Sequence, residues 1–283
     1  MAENLISEGD TMDIEFEIES GTRLVKIPVH VNGYGPFQFV FDTGASTTTL
    51  TKSLAEKLGI STYKREQSDA RGLGSGIPTE YAIATIGIGP LTFNEDEVYV
   101  LDLNAMLQGA GKRDGVIGHS TLKHCILSLN YSRKKLCIDK DRFSDNDSTD
   151  SIIWSPFEYI KDSHLIGVPV VVNGCGPFDF VLDTGAGNTV LTPDFATNIG
   201  ASAEPINGIA RGLGGDVELK IASLDSISIG SQRLEKSTAT VIDLSRVSPK
   251  GNLIENGIIG FDFLKSLEII IDYPRMQFAL LTS

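Results

Sequence analysis

The sequence predicts an all-β protein built from two lobes that share one structural plan. Three observations lead to this prediction: a long internal repeat, many short apolar segments rich in β-branched residues, and frequent Gly-rich turns between them. The chain has 283 residues, a length that corresponds to about two domains of average size. Its composition, with 41% hydrophobic and 22% charged residues, is that of a folded globular protein and excludes a disordered chain.

The repeat extends over nearly the whole chain. Residues 31–45 read VNGYGPFQFVFDTGA and residues 172–186 read VNGCGPFDFVLDTGA, so that 12 of 15 positions are identical. Three shorter pairs follow in the same order, each separated by 140 to 142 residues: RGLG twice, VLDL with VIDL, and GVIGHSTL with GIIGFDFL. Because solenoid repeats have periods of roughly 20–50 residues, this spacing indicates a duplicated domain.

A polar segment separates the two copies. Residues 139–151 read DKDRFSDNDSTDS and show no hydrophobic periodicity, which is typical of a solvated linker. The sequence therefore predicts an N-terminal lobe over residues 1–141, a linker over 142–152 and a C-terminal lobe over 153–283.

Within the first half, the apolar runs predict strands over residues 23–32 and 37–42, joined by a turn at 33–36. A short helix is expected over 51–58, closed by Gly59. The remaining elements of this half are two strands, a short helix and a hairpin, over 81–88, 97–101, 120–124, 125–131 and 135–139. The second half repeats this order.

Two aspartates occupy equivalent places in the repeat. Asp42 ends an apolar strand in FVFDTGAS, and Asp183 does so in FVLDTGAG. A carboxylate there is costly unless it is compensated, and the small residues that follow let backbone N–H groups approach it. If the halves pack about a pseudo-twofold axis, the two carboxylates meet and share one proton, since adjacent carboxylates do not both ionise cheaply. Such a pair supplies a base and an acid side by side.

These residues resemble the Asp-Thr-Gly active-site motif of the aspartic proteases, and GVIGHSTL and GIIGFDFL resemble the second family signature, which braces the Asp loop. Domain size and the Asp-Thr-Gly-Ala form look closest to the retropepsins, whose active enzyme is normally a homodimer. This chain looks like a tandem, single-chain version. The resemblance implies two pseudo-twofold-related retropepsin-like β-barrel lobes with an active-site cleft between them. It also implies an aspartic endopeptidase in which Asp42 and Asp183 activate water, without a metal or other cofactor.

The resemblance further implies roles for the neighbouring residues. Thr43 and Thr184 are expected to brace the two loops against each other, and Gly44 and Gly185 to present backbone N–H groups to the carboxylates. In retropepsins a Gly-rich hairpin between the two signatures is the flap that covers the substrate, and both RGLG copies stand at that position. The candidate flap residues are Arg71, Gly72, Leu73, Gly74, Arg211, Gly212, Leu213 and Gly214.

Two other functions fit parts of this pattern. A catalytically silent peptide-binding module would keep the cleft but not turnover, and the loss of either Asp would have favoured it. A glycosidase also uses two carboxylates, but it needs them in unlike environments, whereas the repeat predicts similar ones.

Other polar clusters have simpler interpretations. His119, His124 and Cys125 are near each other in sequence, but no second ligand pair supports a zinc site. Asp102 and Asp243 are also repeated, and each precedes a predicted helix start. Both are therefore interpreted as helix N-caps.

Charge and cysteine content limit the partners and the compartment. The net charge is −13 with no basic run, which disfavours nucleic acids and anionic membranes as partners. No apolar run approaches the ~20 residues of a membrane span, and the first residues lack the pattern of a signal peptide. The three cysteines, an odd and sparse set, fit a reducing compartment. We therefore expect a cytoplasmic monomer that pairs its own two halves and acts on a peptide or protein.

Overall fold

The computed structural model describes residues 13–72, 74–106, 111–140, 152–212, 215–244 and 254–282. Strands dominate these ranges, and the helices are short, with seven residues in the longest. In this part of the chain, no helix has the length and apolar character needed to cross a membrane.

The described part of the first half forms eleven strands and three helices. In chain order they are β1 (Ile14–Glu15), β2 (Glu17–Ile18), β3 (Val25–Val31), β4 (Tyr34–Phe41), β5 (Thr49–Thr51), α1 (Lys52–Leu58), β6 (Tyr63–Gly72), β7 (Gly74–Ile88), β8 (Leu91–Leu101), α2 (Leu103–Met106), β9 (Gly115–Ile117), α3 (His119–Leu122), β10 (Ile126–Asn130) and β11 (Lys135–Asp139).

The second half follows the same plan. Its described elements are β12 (Ser155–Pro156), β13 (Glu158–Tyr159), β14 (Ile166–Val172), β15 (Cys175–Leu182), β16 (Val190–Leu191), α4 (Pro193–Asn198), β17 (Ala203–Gly212), β18 (Gly215–Ile229), β19 (Gln232–Val241), β20 (Gly257–Ile259), α5 (Phe261–Leu264), β21 (Leu267–Asp272) and β22 (Gln277–Thr282).

Each half closes a six-stranded barrel. In the first half, hydrogen-bonded neighbours run β3–β4–β9–β5–β8–β7, and β7 pairs back to β3. In the second half, β14–β15–β20–β16–β19–β18 closes in the same way. Every second residue of β3 from Val25 to Val31 is buried, so the alternation of the strand fills the barrel with apolar side chains. The predicted all-β fold with two β-barrel lobes is confirmed.

A third sheet joins the two halves. Its six strands run in the order β1–β11–β10–β21–β22–β12, and β10 pairs antiparallel with β21 over five residues. All five residues of β10 are buried. Within it, Ser128 and Asn130 both donate hydrogen bonds to the Glu268 side chain of the other half. This pairing fixes the two halves relative to each other.

The linker predicted over 142–152 lies almost entirely outside the described residues, which resume at Ile152. The boundaries of the two lobes therefore stay a prediction. The β10–β11 hairpin of the first half and the β21–β22 hairpin at the end of the second half were both predicted. That the two hairpins pair in one sheet was not predicted.

One predicted turn was placed wrongly. The Gly-Pro signal suggested a turn at 33–36, whereas β4 already begins at Tyr34. The chain reverses at Asn32 and Gly33, which have φ angles of 51° and 79°. A two-residue turn with positive φ at both positions is a type I′ turn, and Asn-Gly is a favoured pair for it. The Asn-Gly pair was therefore the stronger signal.

Gly59 and Asp102 cap helices as predicted, whereas Thr51, expected as the first residue of α1, is its N-cap. The Thr51 side chain caps the start of α1, and Gly59 ends it in the left-handed conformation with a φ of 65°. The Asp102 side chain accepts a hydrogen bond from Ala105 N at 3.2 Å, as an N-cap does. The residues after Leu244, which would form the helix that Asp243 caps, lie outside the described ranges.

Candidate active site

The two aspartates singled out by the repeat lie together where the lobes meet. Asp42 directly follows β4, and Asp183 directly follows β15. Asp42 N donates to Ile117 O and Asp183 N donates to Ile259 O, both at 3.1 Å, so each Asp is held against the strand of the second repeated block. The side chains of the two aspartates are hydrogen-bonded to each other. The fold thus brings two carboxyl groups that are 141 residues apart in sequence into contact.

Thr43 and Thr184 connect the two Asp loops. Thr43 N donates to Thr184 Oγ1 and Thr184 N donates to Thr43 Oγ1, each at 3.1 Å. Each hydroxyl also donates to a main-chain oxygen of the opposite lobe, Thr43 to Leu182 O at 3.1 Å and Thr184 to Phe41 O at 2.9 Å. Both side chains are buried. Because all four bonds cross between the lobes, they hold the two Asp loops in register.

Gly44 and Gly185 leave room for the carboxyl group of the opposite lobe. A Cβ atom on Gly44 would stand 2.6 Å from Asp183 Oδ2, and one on Gly185 would stand 2.3 Å from Asp42 Cγ. The loops also supply donors: Gly44 N and Ala45 N donate to Asp42 Oδ1 at 2.9 and 3.0 Å, and Gly185 N donates to Asp183 Oδ1 at 2.7 Å. Glycine is therefore required at both positions for steric reasons.

Burial and proximity change the acidity of this pair. Burial, the largest effect, raises the pKa of Asp42 well above its ordinary value, and repulsion from the Asp183 carboxylate raises it further. Burial also raises the pKa of Asp183, against the lowering effect of the Gly185 N–H group. Two carboxyl groups in contact titrate as a pair in two steps, so the pair holds one proton at pH values between those steps.

The second repeated block supports each Asp loop from the side. A Cβ atom on Gly118 would stand 2.8 Å from Ala45 O, so this glycine lets the block approach the loop. His119 N donates to Ala45 O, and in the other lobe Phe261 N donates to Ala186 O, both at 2.8 Å. The two longest repeated blocks of the sequence are therefore in direct contact at the site.

A comparison with models of known protein families shows to which family this chain is related. The model of the aspartyl protease family matches residues 27–121 and again 168–263. This chain belongs to the aspartyl protease family. The two matches coincide with the two copies of the repeat, which confirms the predicted tandem arrangement of this family's domain.

Solved structures share the fold at low sequence identity. Basic 7S globulin from soybean is 12% identical, with a TM-score of 0.54, over 96% of this chain and 94% of that chain. Aspartic proteinase from Irpex lacteus is 16% identical, with a TM-score of 0.55, over 96% and 97% of the respective chains. At these identities the similarity shows the fold alone. No curated protein sequence matches this member of the aspartyl protease family.

The described residues of both RGLG copies belong to long hairpins. One hairpin is formed by β6 and β7 and the other by β17 and β18, and their last described pairs are Gly72 with Gly74 and Gly212 with Gly215. A role of these hairpins as flaps stays a prediction. Of the other candidate flap residues, Arg71 lies in β6 and Arg211 lies in β17. Leu73, Leu213 and Gly214 lie outside the described residues.

Sequence reasoning missed two side chains that cross between the lobes. His164 Nε2 donates to Gly44 O at 2.8 Å, and Arg23 Nη1 donates to Asn188 Oδ1 at 2.6 Å. Each comes from the turn before the first barrel strand of its own lobe and contacts the Asp loop of the other lobe. His164 and Arg23 are separated by the repeat spacing but are different residue types. Because the two residues differ, the internal repeat does not mark either position as part of the site.

His119 has a structural environment that the sequence did not indicate. Its ring packs edge-on against Tyr159 with the centroids 5.4 Å apart. Burial, followed by the nearby His164, lowers the pKa of His119 to about 4. Across the described ranges, no group of three or more His, Cys, Asp or Glu side chains is placed to hold a metal ion, the sequence neighbours His124 and Cys125 included.

Proposed function

We propose that this chain is an aspartic endopeptidase that hydrolyses peptide bonds with a water molecule activated by Asp42 and Asp183. The observation that carries the proposal is the contact between two buried carboxyl groups, each of which accepts hydrogen bonds from its own loop. Membership in the aspartyl protease family supports it. A pair that shares one proton offers a base and an acid to the same peptide bond.

The proposed reaction follows from this shared proton. The ionised carboxylate takes a proton from water, and the water oxygen attacks the carbonyl carbon of the peptide. The protonated carboxyl group donates its proton to the carbonyl oxygen, which gives a tetrahedral intermediate. The intermediate then collapses: the leaving nitrogen takes up a proton from the pair, the C–N bond breaks, and a hydroxyl group of the intermediate gives its proton to the pair as the new C=O bond forms. The pair thus again holds one proton.

Supporting roles are proposed for the residues that hold the pair. Thr43 and Thr184 keep the two loops in register through bonds between the lobes. Gly44 and Gly185 keep space for the carboxyl groups and donate to them. We also propose that the β6–β7 and β17–β18 hairpins cover the substrate as flaps.

A catalytically silent peptide-binding module is the alternative. One structure with this fold is named a globulin and another a proteinase, so the fold does not decide between binding and turnover. The buried carboxyl pair favours turnover, because two carboxyl groups buried in contact destabilise the folded protein and a binding cleft has no need of them.

The experiment that tests this function is cleavage of a proteome-derived peptide library. The wild-type chain and the Asp42→Asn/Asp183→Asn double variant are incubated with the library, and new peptide termini are identified by mass spectrometry. We expect new termini with the wild type alone. Equal sets of termini from both proteins would contradict the proposal, and retention of uncut peptides by both would support the binding module.

One chain is expected to be active by itself, because each lobe supplies one Asp and the shared sheet joins the lobes. The initial rate of cleavage should therefore increase linearly with enzyme concentration. Rates measured over a hundredfold dilution test this prediction, with sedimentation velocity at the same concentrations as the control. A rate that falls with the square of the concentration would mean that the halves pair between chains.

The proposed substrate is a peptide or protein, and the proposed compartment is the cytoplasm. The net charge of −13 disfavours nucleic acids and anionic membranes as partners. A reducing compartment suits the three cysteines.

A further inference from the structure

One peptide unit connects His164 to Asp42. Its carbonyl, Gly44 O, accepts a hydrogen bond from His164 Nε2 at 2.8 Å. Its N–H group, which belongs to Ala45, donates to Asp42 Oδ1 at 3.0 Å. Because a trans peptide unit is planar and its C=O and N–H bonds point in opposite directions, anchoring the carbonyl also fixes the direction of the N–H group.

His164 makes this contact through its Nε2–H group. Nε2 faces a carbonyl oxygen and therefore carries a hydrogen, which leaves Nδ1 as the position that titrates. Burial is the largest effect and lowers the pKa of His164, whereas the bond to Gly44 and the negative charge of Asp183 act in the opposite direction. The Nε2–H donor is present in both protonation states, so the contact with Gly44 O does not depend on the charge of the ring.

Neighbouring groups further disfavour a positive charge at this place. The His119 ring lies beside His164 with the centroids 5.7 Å apart, and His119 Nε2 is 3.0 Å from the Tyr159 hydroxyl. Lys123 and His124 also act to lower the pKa of His119. Because the pKa of His119 is about 4 and burial lowers that of His164, the two packed rings favour their neutral forms behind the Gly44 carbonyl.

The equivalent residue of the other lobe contacts its loop differently. Arg23 Nη1 donates to Asn188 Oδ1 at 2.6 Å and to Gly187 O at 3.4 Å, which are further along the loop. Ala45 N and Ala186 N both donate to the main-chain oxygen of their own Asp at 3.3 Å, and Ala45 N donates in addition to Asp42 Oδ1. The two carboxyl groups are thus supported unequally despite the sequence repeat.

We infer that His164 is a positioning residue for Asp42, acting through the Gly44–Ala45 peptide. The inference rests on the proposed function, because the group that His164 positions belongs to the proposed catalytic pair. With His164 in place, two N–H groups donate to Asp42 Oδ1 and favour its ionised form. Without this anchor the peptide rotates, the Ala45 donor is lost, and Asp42, whose pKa burial already raises well above its ordinary value, holds the proton of the pair more tightly.

Three variants test the inference. His164→Leu removes the donor, whereas His164→Gln keeps one, since a Gln side-chain nitrogen reaches the place of Nε2. Arg23→Leu is the matched control, because it removes the equivalent contact between the lobes and leaves the Gly44–Ala45 peptide untouched. For each variant, ¹³C NMR of the Asp carboxyl groups follows the titration of the pair, and the pH profile of kcat/KM gives its acid and basic limbs.

We expect His164→Leu to move the upper titration step, that of Asp42, and the basic limb upward by roughly one to two pH units, the equivalent of one hydrogen bond to a charged group. His164→Gln should restore most of the wild-type position, and Arg23→Leu should leave both readouts near it. Thermal unfolding confirms that each variant is folded. If His164→Leu does not fold, His164→Asn replaces it, because its shorter amide does not reach Gly44 O.

Two results would overturn the inference. One is an unmoved upper titration step in His164→Leu, and the other is an equal shift in Arg23→Leu, which would indicate a general loosening between the lobes. The carboxyl titration needs no substrate, so it decides the inference even for a wild type that does not cleave peptides. Cleavage by the wild type together with an unmoved titration in His164→Leu would remove the inference and leave the proposed function standing.

Discussion

Asp42→Asn is expected to abolish peptidase activity while leaving the fold intact, and the same holds for Asp183→Asn. Either change replaces an ionisable member of the pair by an amide, so one proton is no longer exchanged between two carboxyl groups. General acid–base catalysis contributes typically about 10²- to 10⁴-fold, and here both functions depend on the same pair. We therefore expect kcat/KM to fall by at least about 10²-fold in each single variant.

The Asp42→Asn variant is also expected to be more stable than the wild type at neutral pH. Burial raises the pKa of Asp42 in the folded state, so ionisation is less favourable there than in the unfolded chain. Such a group adds stability below its unfolded pKa, and this stability is lost as the pH rises from that value through the folded pKa. Asn does not ionise, and its amide can donate to the Asp183 carboxylate. The melting temperature of the variant should therefore exceed that of the wild type by a margin that grows from pH 4 to pH 7.

These expectations require activity and unfolding to be measured on the same protein samples. Asp225→Asn is the matched control, since Asp225 is an exposed carboxylate on β18 and its change should affect neither quantity. Retention of more than a tenth of wild-type activity in either site variant would rule out a catalytic pair. Loss of activity together with a lower melting temperature would point to damage of the fold instead of loss of the chemistry.

The features that the sequence predicted are those that depend on local pattern and on repetition. The strand that carries Asp42 is apolar and is followed by small residues, and the same pattern recurs at Asp183. A pair of carboxyl groups in contact follows once the two copies are assumed to face each other, whereas the barrel of each lobe was implied by the family resemblance. The helix caps at Gly59 and Asp102 were equally predictable, because a cap depends on residues within one turn of the chain.

The features that the sequence did not predict depend on contacts between distant segments. The pairing of β10 with β21 joins strands about 140 residues apart, and a strand carries no signal that specifies its partner. The contacts of His164 and Arg23 depend on residues that differ between the two copies, so the repeat obscured them. The asymmetry of the site was for this reason visible only in three dimensions.

The second large effect is expected from Thr43→Val. The Thr43 hydroxyl accepts from Thr184 N and donates to Leu182 O, and Val has the same shape without either function. A buried polar group left without its partner costs about 1–3 kcal/mol, and two such groups result from this change. We expect the free energy of unfolding, measured by urea denaturation, to fall by about 2–5 kcal/mol, a large share of a total of about 5–15 kcal/mol. Thr43→Ser keeps the hydroxyl and should lose far less.

Comparison with Thr184→Val and the double variant tests whether the four bonds act as one unit. Thr184→Val removes the other two bonds, those to Thr43 N and Phe41 O, so the two single changes share no hydrogen bond. Independent bonds would make their effects additive. All four bonds hold the same two Asp loops in register. The first substitution should therefore loosen the contact between the loops, so that the second substitution removes bonds that already contribute less to stability. We therefore expect the double variant to be less destabilised than the sum of the singles by about 0.5–3 kcal/mol. Strict additivity, or a Thr43→Ser variant as unstable as Thr43→Val, would show that the hydroxyls do not couple the lobes.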